Sequence, residues 1–461
     1  MPGCARRSGS DKNESNAMVS ASDNNLLTRV GPGTPMGELM RQYWIPACKS
    51  TELEADGPPM RLMLLGEKLI AFRDGAGRVG IMDQRCPHRC ASLFYGRNEG
   101  DGLRCIYHGW KYDVTGRCLD MPNIPEIQKF TDRVVAKAYP TFERGGLVWT
   151  YLGARADAPP LPALEAVLLP AEETRIILTQ RECNWLQALE GDIDTSHFGF
   201  LHMGSIDTSA IDRANMHSHA LLNKAPEYHV EETSWGTMYA AWRRADPGDI
   251  YYRVSHFVFP FWVLVPDGKF EDNISVDAWV PMDDAHTMVF NLAWTRRSPP
   301  LRTFKDGRNV PGLEFRHDFL PNTNDWFGRW RLAVNRGNDH MIDRSVQRAD
   351  SFSGIPTITA QDVAVVESMG DIVDRSMEHL AASDRMIVLT RQRLLKAATA
   401  LEEKGVMPPG VDDPEIVLRA RSGAYVASES VDWRAAYAER LRRSISPAGM
   451  LRAAETVSVE E

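Results

Sequence analysis

The sequence predicts an α+β protein of helix-grip type, in which a small all-β domain precedes a larger domain with an antiparallel sheet and a C-terminal helix. Residues 40–155 hold short β-rich runs separated by glycine-rich turns, for example 60–72 and 146–152. A proline-rich link follows at residues 158–170. Near the C-terminal end, apolar residues recur at helical spacing over 377–404, which predicts a long amphipathic helix.

Composition divides the chain into four segments. Residues 1–25 are rich in Ser, Asn, Asp and Gly, which predicts a disordered tail, and Met18 is a second candidate for the natural start. The all-β domain with its lead-in is expected to span residues 26–157, and the mixed domain 158–440. Residues 441–461 are expected to form a C-terminal tail.

Three runs of apolar and β-branched residues predict strands in the mixed domain, at 251–265, 273–280 and 288–295. The aromatic residues at 261–262 are expected to pack in the core rather than line a pocket. Residues 299–340 are rich in Arg, Asn, Asp and Gly, and this segment is predicted to be a lid or an interface loop. A ligand pocket is expected between the sheet and the C-terminal helix.

Charge and hydropathy exclude several classes of function. The 461-residue chain carries a net charge of −9, so it shows no basic footprint for nucleic acid. No apolar run approaches the roughly 18 residues of a membrane span. Arg6 and Arg7 precede no apolar segment of the kind that an export signal requires. These observations predict a cytoplasmic protein without membrane or nucleic-acid partners.

The first chemical motif has the form C-x-H, sixteen residues, then C-x-x-H. Its residues are Cys86, His88, Cys105 and His108. A zinc ion would accept these four ligands. Their order favours a two-iron cluster, because each of two loops then supplies one thiolate and one imidazole. Neutral imidazole raises the reduction potential, which suits an electron donor to an oxygen-activating site. Trp110 is placed to cover such a cluster from water.

The other cysteines show no paired spacing, and they are Cys4, Cys48, Cys90, Cys118 and Cys183. Free thiols in a reducing compartment are therefore expected. A disulfide between Cys90 and Cys118 is an alternative that the spacing leaves open.

The second motif is D-x-x-H-x4-H, formed by Asp194, His197 and His202. Asp194 and His197 would share one face of a helix. On the same ideal helix His202 would point about 140° away from His197. Both histidines can therefore bind one iron only if the helix is distorted or ends between them, and Gly199 is the expected point of weakness.

Two histidines and one carboxylate would form the facial triad of a non-haem Fe(II) oxygenase, which leaves positions open for oxygen. The spacing leaves the third ligand open among Asp192, Asp194 and Asp362. A chain with both motifs is most simply an oxygenase. The remote alternative is an electron carrier that uses only the first motif.

Four stretches of the chain resemble one known family, and they are residues 28–46, 85–113, 184–202 and 368–395. The chain is similar to the oxygenase (alpha) component of the Rieske non-haem iron aromatic ring-hydroxylating oxygenases. Within that family it resembles the phthalate 4,5-dioxygenase-like subgroup. One departure is Cys90, which stands where many members have Gly.

The resemblance implies one [2Fe–2S] cluster and one mononuclear Fe(II) in each subunit. The implied cluster ligands are Cys86, His88, Cys105 and His108. The implied iron ligands are His197, His202 and Asp362. The resemblance also implies that Asp194 is a bridge rather than a ligand, hydrogen-bonded between an iron histidine and a cluster histidine of a neighbouring subunit. Residues 26–157 would then be the Rieske domain and 158–440 the catalytic domain.

The resemblance further implies an NADH-dependent flavin and iron–sulfur reductase as partner, and a homotrimer or a multiple of it. The expected reaction uses O2 to hydroxylate an aromatic acid, by ring cis-dihydroxylation as with phthalate. O-demethylation of a methoxylated aromatic acid is the alternative. Four arginines are candidates to bind the substrate carboxylate in a bidentate manner, and Arg253 is favoured over Arg213, Arg243 and Arg244.

Overall fold

The computed structural model describes residues 19–212, 218–298, 301 and 303–447, and it confirms the α+β class. The expectations for Cys4, Met18, Arg213 and most of the C-terminal tail concern residues outside these ranges. Within them, no helix has the length and apolar character that a membrane crossing requires.

The N-terminal part is built from short antiparallel strands in three small sheets. The strands are β1 Trp44–Lys49, β2 Met60–Leu64, β3 Glu67–Arg73, β4 Val79–Asp83, β5 Arg97–Glu99, β6 Gly102–Arg104, β7 Lys111–Tyr112, β8 Cys118–Asp120, β9 Ala138–Tyr139, β10 Thr141–Arg144 and β11 Leu147–Tyr151. The sheet orders are β1-β11-β10, β2-β3-β4-β9 and β5-β6-β7-β8. The loops that follow β4 and β6 carry the first Cys/His motif.

One large antiparallel sheet dominates the second part. Its strands are β12 Thr174–Arg181, β13 Glu227–Thr233, β14 Gly236–Arg244, β15 Asp249–Val258, β16 Trp262–Leu264, β17 Ser275–Pro281, β18 Thr287–Trp294 and β19 Gly423–Ser428. The order is β12-β18-β17-β16-β15-β14-β13, and β19 also pairs with β15. Because β16 is short and covers only residues 256–258 of β15, β19 can pair with residues 249–254.

Helices cover this sheet and connect it to the N-terminus. They are α1 Ala21–Thr28, α2 Pro35–Met40, α3 Glu165–Leu168, α4 Trp185–Asp192, α5 Ser218–Leu222, α6 Arg344–Ala349, α7 Ile358–Ser368, α8 Arg385–Lys404 and α9 Trp433–Arg443. α8 packs on α2 and β14, whereas α7 packs on α4. α7 and α4 are therefore the helices that position the second His motif.

The predicted long helix is shorter than expected. α8 begins at Arg385, eight residues after the predicted start of the segment 377–404. Just before it, the Asp384 carboxylate accepts the N–H of Ala381 at 2.7 Å and closes a 3₁₀ turn. That local hydrogen bond competes with the helix at its N-terminal end.

Two other boundaries are also corrected. The run 251–265 forms two strands instead of one, because Pro260 lies in the turn between β15 and β16 and has no N–H for a sheet. The aromatic residues Phe261 and Trp262 are buried in the core, as predicted. Residues 21–25, expected in the disordered tail, belong to α1, whose N-cap Ser20 accepts a bond from the backbone of Asp23.

The segment predicted as a lid or interface loop is attached to the N-terminal part by polar contacts. Arg329 donates from Nε and Nη2 to the two carboxylate oxygens of Glu52, both at 3.0 Å. Trp330 Nε1 donates to the same carboxylate at 3.1 Å. Arg61 donates to the carbonyl of Asn324 at 2.6 Å. These contacts hold the segment against the small β domain.

A buried ion network joins α4 to the C-terminal helices. Glu190 accepts from Arg391 Nε at 2.6 Å and from Arg375 Nη2 at 3.0 Å. Arg375 also donates to Asn24, and Arg391 binds Glu378. Burial alone would raise the pKa of Glu190, but the charges of the two arginines outweigh it and lower the pKa.

Glu190→Gln is expected to lower the free energy of unfolding by about 3–5 kcal/mol, because it leaves two buried guanidinium groups without their shared anion. The pKa of Glu190 is depressed in the folded state, so its stabilisation is present above the ordinary pKa of 4.5 and is lost as the pH falls through the lower folded value. Urea unfolding of both proteins at pH 7 and at pH 3–4 measures the difference. Glu439→Gln, at the surface of α9, is the control, and equal stability of E190Q and the parent at pH 7 would contradict the expectation.

Candidate active site

The first Cys/His motif lies on two similar loops. In each loop a backbone N–H returns to the carbonyl of the cysteine, from Cys90 to Cys86 at 2.8 Å and from Gly109 to Cys105 at 2.9 Å. Both motif thiols are buried, and the rings of His88 and His108 have centroids 4.5 Å apart. The loops therefore bring two thiols and two imidazoles together.

The surroundings of these four side chains fit a two-iron cluster. His108 Nδ1 is buried and has no hydrogen-bond partner among the described residues, as expected for an atom that binds metal. The ring of Trp110 stacks on His88, with the ring centres 4.3 Å apart, so Trp110 lies beside the predicted cluster site. No three of the motif's ligand atoms lie within 4.8 Å of one another in the described chain, which disfavours a single zinc ion.

Cys90 and Cys118 do not form the alternative disulfide. Cys90 is exposed, Cys118 is buried, and both are free thiols. Cys90 has a φ of +59°, in the left-handed region that only Gly adopts without strain. A glycine, which the resemblance places here in many members, would adopt this conformation without strain.

The second motif follows a helix that ends early. α4 stops at Asp192, and residues 197–199 form a separate 3₁₀ turn. The α-helix thus ends earlier than expected, before His197, while the 3₁₀ turn that carries His197 ends at Gly199, the expected point of weakness. Because His197 and His202 do not share a straight helix, their imidazoles are free to converge.

The two histidines meet Asp362, which lies in the first half of α7. His202 Nε2 is 3.1 Å from Asp362 Oδ1, and His197 Nε2 is 3.8 Å from the same oxygen. The three ligand atoms lie within 4.8 Å of one another. Two imidazoles and one carboxylate at this spacing are the donor set of a facial triad.

Each histidine is oriented through its other ring nitrogen. Asp194 Oδ2 lies 3.5 Å from His197 Nδ1, and Gln361 Oε1 lies 2.7 Å from His202 Nδ1. These contacts leave both Nε2 atoms for the centre of the triad. Burial alone would raise the pKa of Asp194, but the hydrogen bond and charge of His197 lower it. The contact of Gln361 was not predicted, because the sequence shows only that it precedes Asp362.

Asp192, a local rival for the third ligand, lies outside the triad. Its carboxylate accepts a hydrogen bond from Trp279 Nε1 at 2.8 Å. Burial raises the pKa of Asp192 well above its usual range. Asp192 therefore lines the adjacent cavity instead of completing the triad.

A cavity of about 190 Å³ lies between one face of the sheet and α7. The triad forms part of its wall, and much of the rest is apolar. The apolar side chains include Ile177, Val265, Val289, Leu301, Leu313 and Phe315. The pocket was expected beneath the long C-terminal helix, but the helix that closes it is α7 instead of α8. Part of the segment predicted as a lid contributes to its wall.

Arg253 lines this cavity from β15. Its side chain is buried, and its Nε and Nη1 atoms have no hydrogen-bond partner among the described residues. Its guanidinium lies 4.4 Å from the ring centre of Phe198. Arg243 donates to the carbonyl of Asn223, and although its Nη1 also has no partner among the described residues, it does not line the cavity. The exposed Arg244 pairs with Glu429. Among these arginines, Arg253 is thus the one available to a ligand in the cavity.

Three further polar residues of the cavity carried no signal in the sequence. Arg181, Asp277 and Asn291 lie on β12, β17 and β18, which are neighbours only in the folded sheet. Arg181 is buried and donates to Thr179 Oγ1 at 2.9 Å. Asn291 donates to Asp277 Oδ1 at 2.6 Å.

Two family models match the chain. Residues 43–131 match the Rieske [2Fe-2S] domain, and residues 150–455 match the family described as LigXa C-terminal domain like. The second match covers the triad and the cavity. An electron carrier would need only the first of these two domains. The match to a second, catalytic domain therefore excludes the interpretation of the chain as an electron carrier alone.

Several curated proteins are similar to the chain over most of its length. The 3-chlorobenzoate-3,4-dioxygenase oxygenase subunit of Comamonas testosteroni is 49% identical, over 92% of this chain and 99% of that protein. The phthalate 4,5-dioxygenase oxygenase subunit of Pseudomonas putida is 37% identical, over 90% and 94%. The 5,5'-dehydrodivanillate O-demethylase oxygenase subunit of Sphingobium sp. (strain NBRC 103272 / SYK-6) is 30% identical, over 87% and 84%.

A solved structure shares the fold. NdmA of Pseudomonas putida CBB5 with caffeine superposes with a TM-score of 0.52 at 20% identity, over 86% of this chain and all of that one. Together with the triad and the Cys/His loops, these matches show that the chain belongs to the Rieske non-haem iron oxygenases, as an oxygenase subunit of the aromatic ring-hydroxylating type.

Proposed function

We propose that this oxygenase subunit hydroxylates an aromatic acid, by ring cis-dihydroxylation as with phthalate. The observation that carries the proposal is Arg253, a buried cation in the same cavity as the triad, with N–H groups that no described residue accepts. A substrate carboxylate would supply the missing partner through a bidentate, charge-assisted pair. Two relatives named for 3-chlorobenzoate and phthalate support a substrate of this class.

The proposal assigns each metal to the residues that fit it. Cys86, His88, Cys105 and His108 hold one [2Fe–2S] cluster, in a Rieske domain over residues 26–157. His197, His202 and Asp362 hold one Fe(II), in a catalytic domain over 158–440. Iron in such a triad supplies oxygen activation, because the protein leaves some of its coordination positions open.

The cavity residues position the substrate and exclude water. Arg253 fixes the carboxylate, and Phe198, which contacts both Arg253 and His202, forms a wall between the acid group and the triad. The apolar side chains surround the aromatic ring and displace water from it. In this proposal one edge of the ring faces His197, His202 and Asp362.

Asp194 couples the two redox centres in this proposal. Its carboxylate orients His197 through Nδ1, and its side chain remains 24% exposed, so it is accessible to a histidine of another subunit. Such a bridge requires neighbouring subunits to place the cluster of one beside the triad of the next. The proposed assembly is therefore a homotrimer or a multiple of it, reduced in the cytoplasm by an NADH-dependent flavin and iron–sulfur reductase.

Asp194→Asn is expected to keep both metals and to slow NADH-driven turnover by about 10- to 100-fold, because an amide holds His197 less firmly and carries no charge. Metal analysis together with stopped-flow reoxidation of the reduced cluster measures the effect. The exposed Asp207→Asn in the same segment is the control. Full turnover by the Asp194→Asn protein with both metals bound would show that the bridge is wrong.

The proposed activity is tested by product masses. The iron-loaded protein, a surrogate reductase, NADH and oxygen are incubated with phthalates, benzoates and methoxybenzoates. Gain of two oxygen and two hydrogen atoms by an acid supports cis-dihydroxylation. Loss of a methyl group with release of formaldehyde would instead support O-demethylation, the alternative that the 5,5'-dehydrodivanillate O-demethylase relative favours.

A further inference from the structure

The cavity has a second polar end, formed by Asp277 and Asn291. Asn291 donates to Asp277 Oδ1, but Asp277 Oδ2 accepts no hydrogen bond from any described residue. No Arg, Lys or His of the described chain forms an ion pair with Asp277. The Oδ1 atom of Asn291 also has no partner within the described ranges. Two acceptor oxygens at this end therefore have unused capacity for a donor.

Acidic and basic side chains both line this end. The carboxylates of Asp192, Asp267 and Asp277 line it, together with the guanidinium groups of Arg181 and Arg297. Arg297 is already engaged by Asp267 through two bonds of 2.6 and 3.0 Å. A further anion would approach the carboxylates of Asp267 and Asp277, and the only cation of this end without a carboxylate partner among the described residues is Arg181, whose Nε also has no hydrogen-bond partner there. Because Asp277 would lie against a second carboxylate, this end favours a hydrogen-bond donor over a further anion.

The two polar ends lie on different strands of one sheet face. Val263 of β16 pairs with Asp277 on one side and with Phe257 of β15 on the other, so β16 separates the two strands. Two strand spacings of about 4.8 Å each separate β17 from β15, and Arg253 lies four residues before Phe257. The two polar ends thus leave room for one aromatic ring between them.

We propose that Asp277 and Asn291 bind a hydroxyl or amino substituent of a monocarboxylic aromatic acid whose carboxylate is held by Arg253. The inference rests on the proposed function, because Arg253 determines which end of the acid reaches Asp277. A substituent that donates a hydrogen bond satisfies Asp277 Oδ2. When an acid with an unsubstituted ring binds, Asp277 Oδ2 loses water and gains no hydrogen bond. The unsubstituted acid therefore binds more weakly. Burial raises the pKa of Asp277 to about 6, so its carboxylate is an acceptor at neutral pH.

Calorimetric titration of the metal-loaded protein tests the proposal without turnover. The ligands are benzoate, 3-hydroxybenzoate, 4-hydroxybenzoate and isophthalate. Of 3-hydroxybenzoate and 4-hydroxybenzoate, the one with the higher affinity is expected to bind about ten-fold more tightly than benzoate or isophthalate. Asp277→Leu should bring the hydroxybenzoate and benzoate affinities together, while Asp306→Leu, at an exposed aspartate outside the cavity, should leave their ratio unchanged. Cluster absorbance verifies that each variant is folded.

Asp277→Asn provides a second test that keeps the shape of the side chain. Removal of its charge should strengthen the binding of isophthalate relative to benzoate. The inference is overturned if hydroxybenzoate and benzoate bind equally to the parent protein, if Asp277→Leu leaves their ratio unchanged, or if isophthalate binds as tightly as hydroxybenzoate. If benzoate and all other acids fail to bind, the aromatic-acid function is itself wrong and this inference is overturned with it.

Discussion

His202→Ala is expected to remove the mononuclear iron and to abolish substrate oxidation, while the visible absorbance of the cluster remains. The triad offers three protein ligands, and His202 lies nearest to Asp362 among them. Gln361 Oε1 also lies 2.7 Å from His202 Nδ1 and orients the ring. The variant therefore loses an iron ligand and leaves Gln361 Oε1 without this partner. The iron content should fall from about three to about two atoms per chain.

A matched variant separates the loss of a ligand from a general effect of removing a histidine. His286 lies in the turn between β17 and β18, where it bonds to Asp283, and His286→Ala should retain three irons. Iron analysis and the cluster spectrum are measured on the same samples. A His202→Ala protein that kept its third iron, or one that lost the cluster instead, would disprove the division of ligands between the two motifs.

Arg253→Met is expected to weaken the binding of an aromatic acid by about 2–5 kcal/mol, a loss of affinity of roughly 30-fold to several thousand-fold. Met keeps the volume and apolar stem of the side chain but leaves the substrate carboxylate in the cavity without a counter-charge. The Michaelis constant should rise more than the turnover number falls, because Arg253 contacts the acid group and not the reacting carbons. Both metals should remain bound.

The exposed Arg244→Met is the control for Arg253→Met. Arg244 lies on the neighbouring strand β14 and pairs with Glu429 at the surface. Calorimetry with benzoate measures the affinities, and a neutral ring compound without a carboxylate should bind the parent and Arg253→Met alike. Unchanged benzoate affinity in Arg253→Met would exclude this arginine as the carboxylate anchor.

The Cys/His loops could be predicted because their chemistry is contained in short spacings. Cys86 with His88, and Cys105 with His108, form one loop each, and a tight turn is sufficient to bring each pair together. Asp362 is different, because it is far from the histidines in the chain and spacing alone left it one of three candidates. The family resemblance selected it, and α7 places it beside His202.

Local patterns were least informative where tertiary contacts decide the structure. The end of α4 at Asp192 was not foreseen. Asp192 is the last residue of the helix, and its carboxylate accepts a bond from Trp279 on the distant strand β17, a contact that no local pattern shows. Asp277 and Asn291 were missed for the same reason. They pair across β17 and β18, and nothing near either residue in the sequence shows that both face a cavity.

The hydrogen bonds from Arg329 and Trp330 to the Glu52 carboxylate have a consequence for engineering. These bonds join the Rieske half of the subunit to the segment 299–340, part of which forms a wall of the substrate cavity. The two halves are therefore not independent modules. A chimera that receives another Rieske domain without an acid at position 52 would lose this anchor, so exchanging the redox half would also alter the selection of substrates.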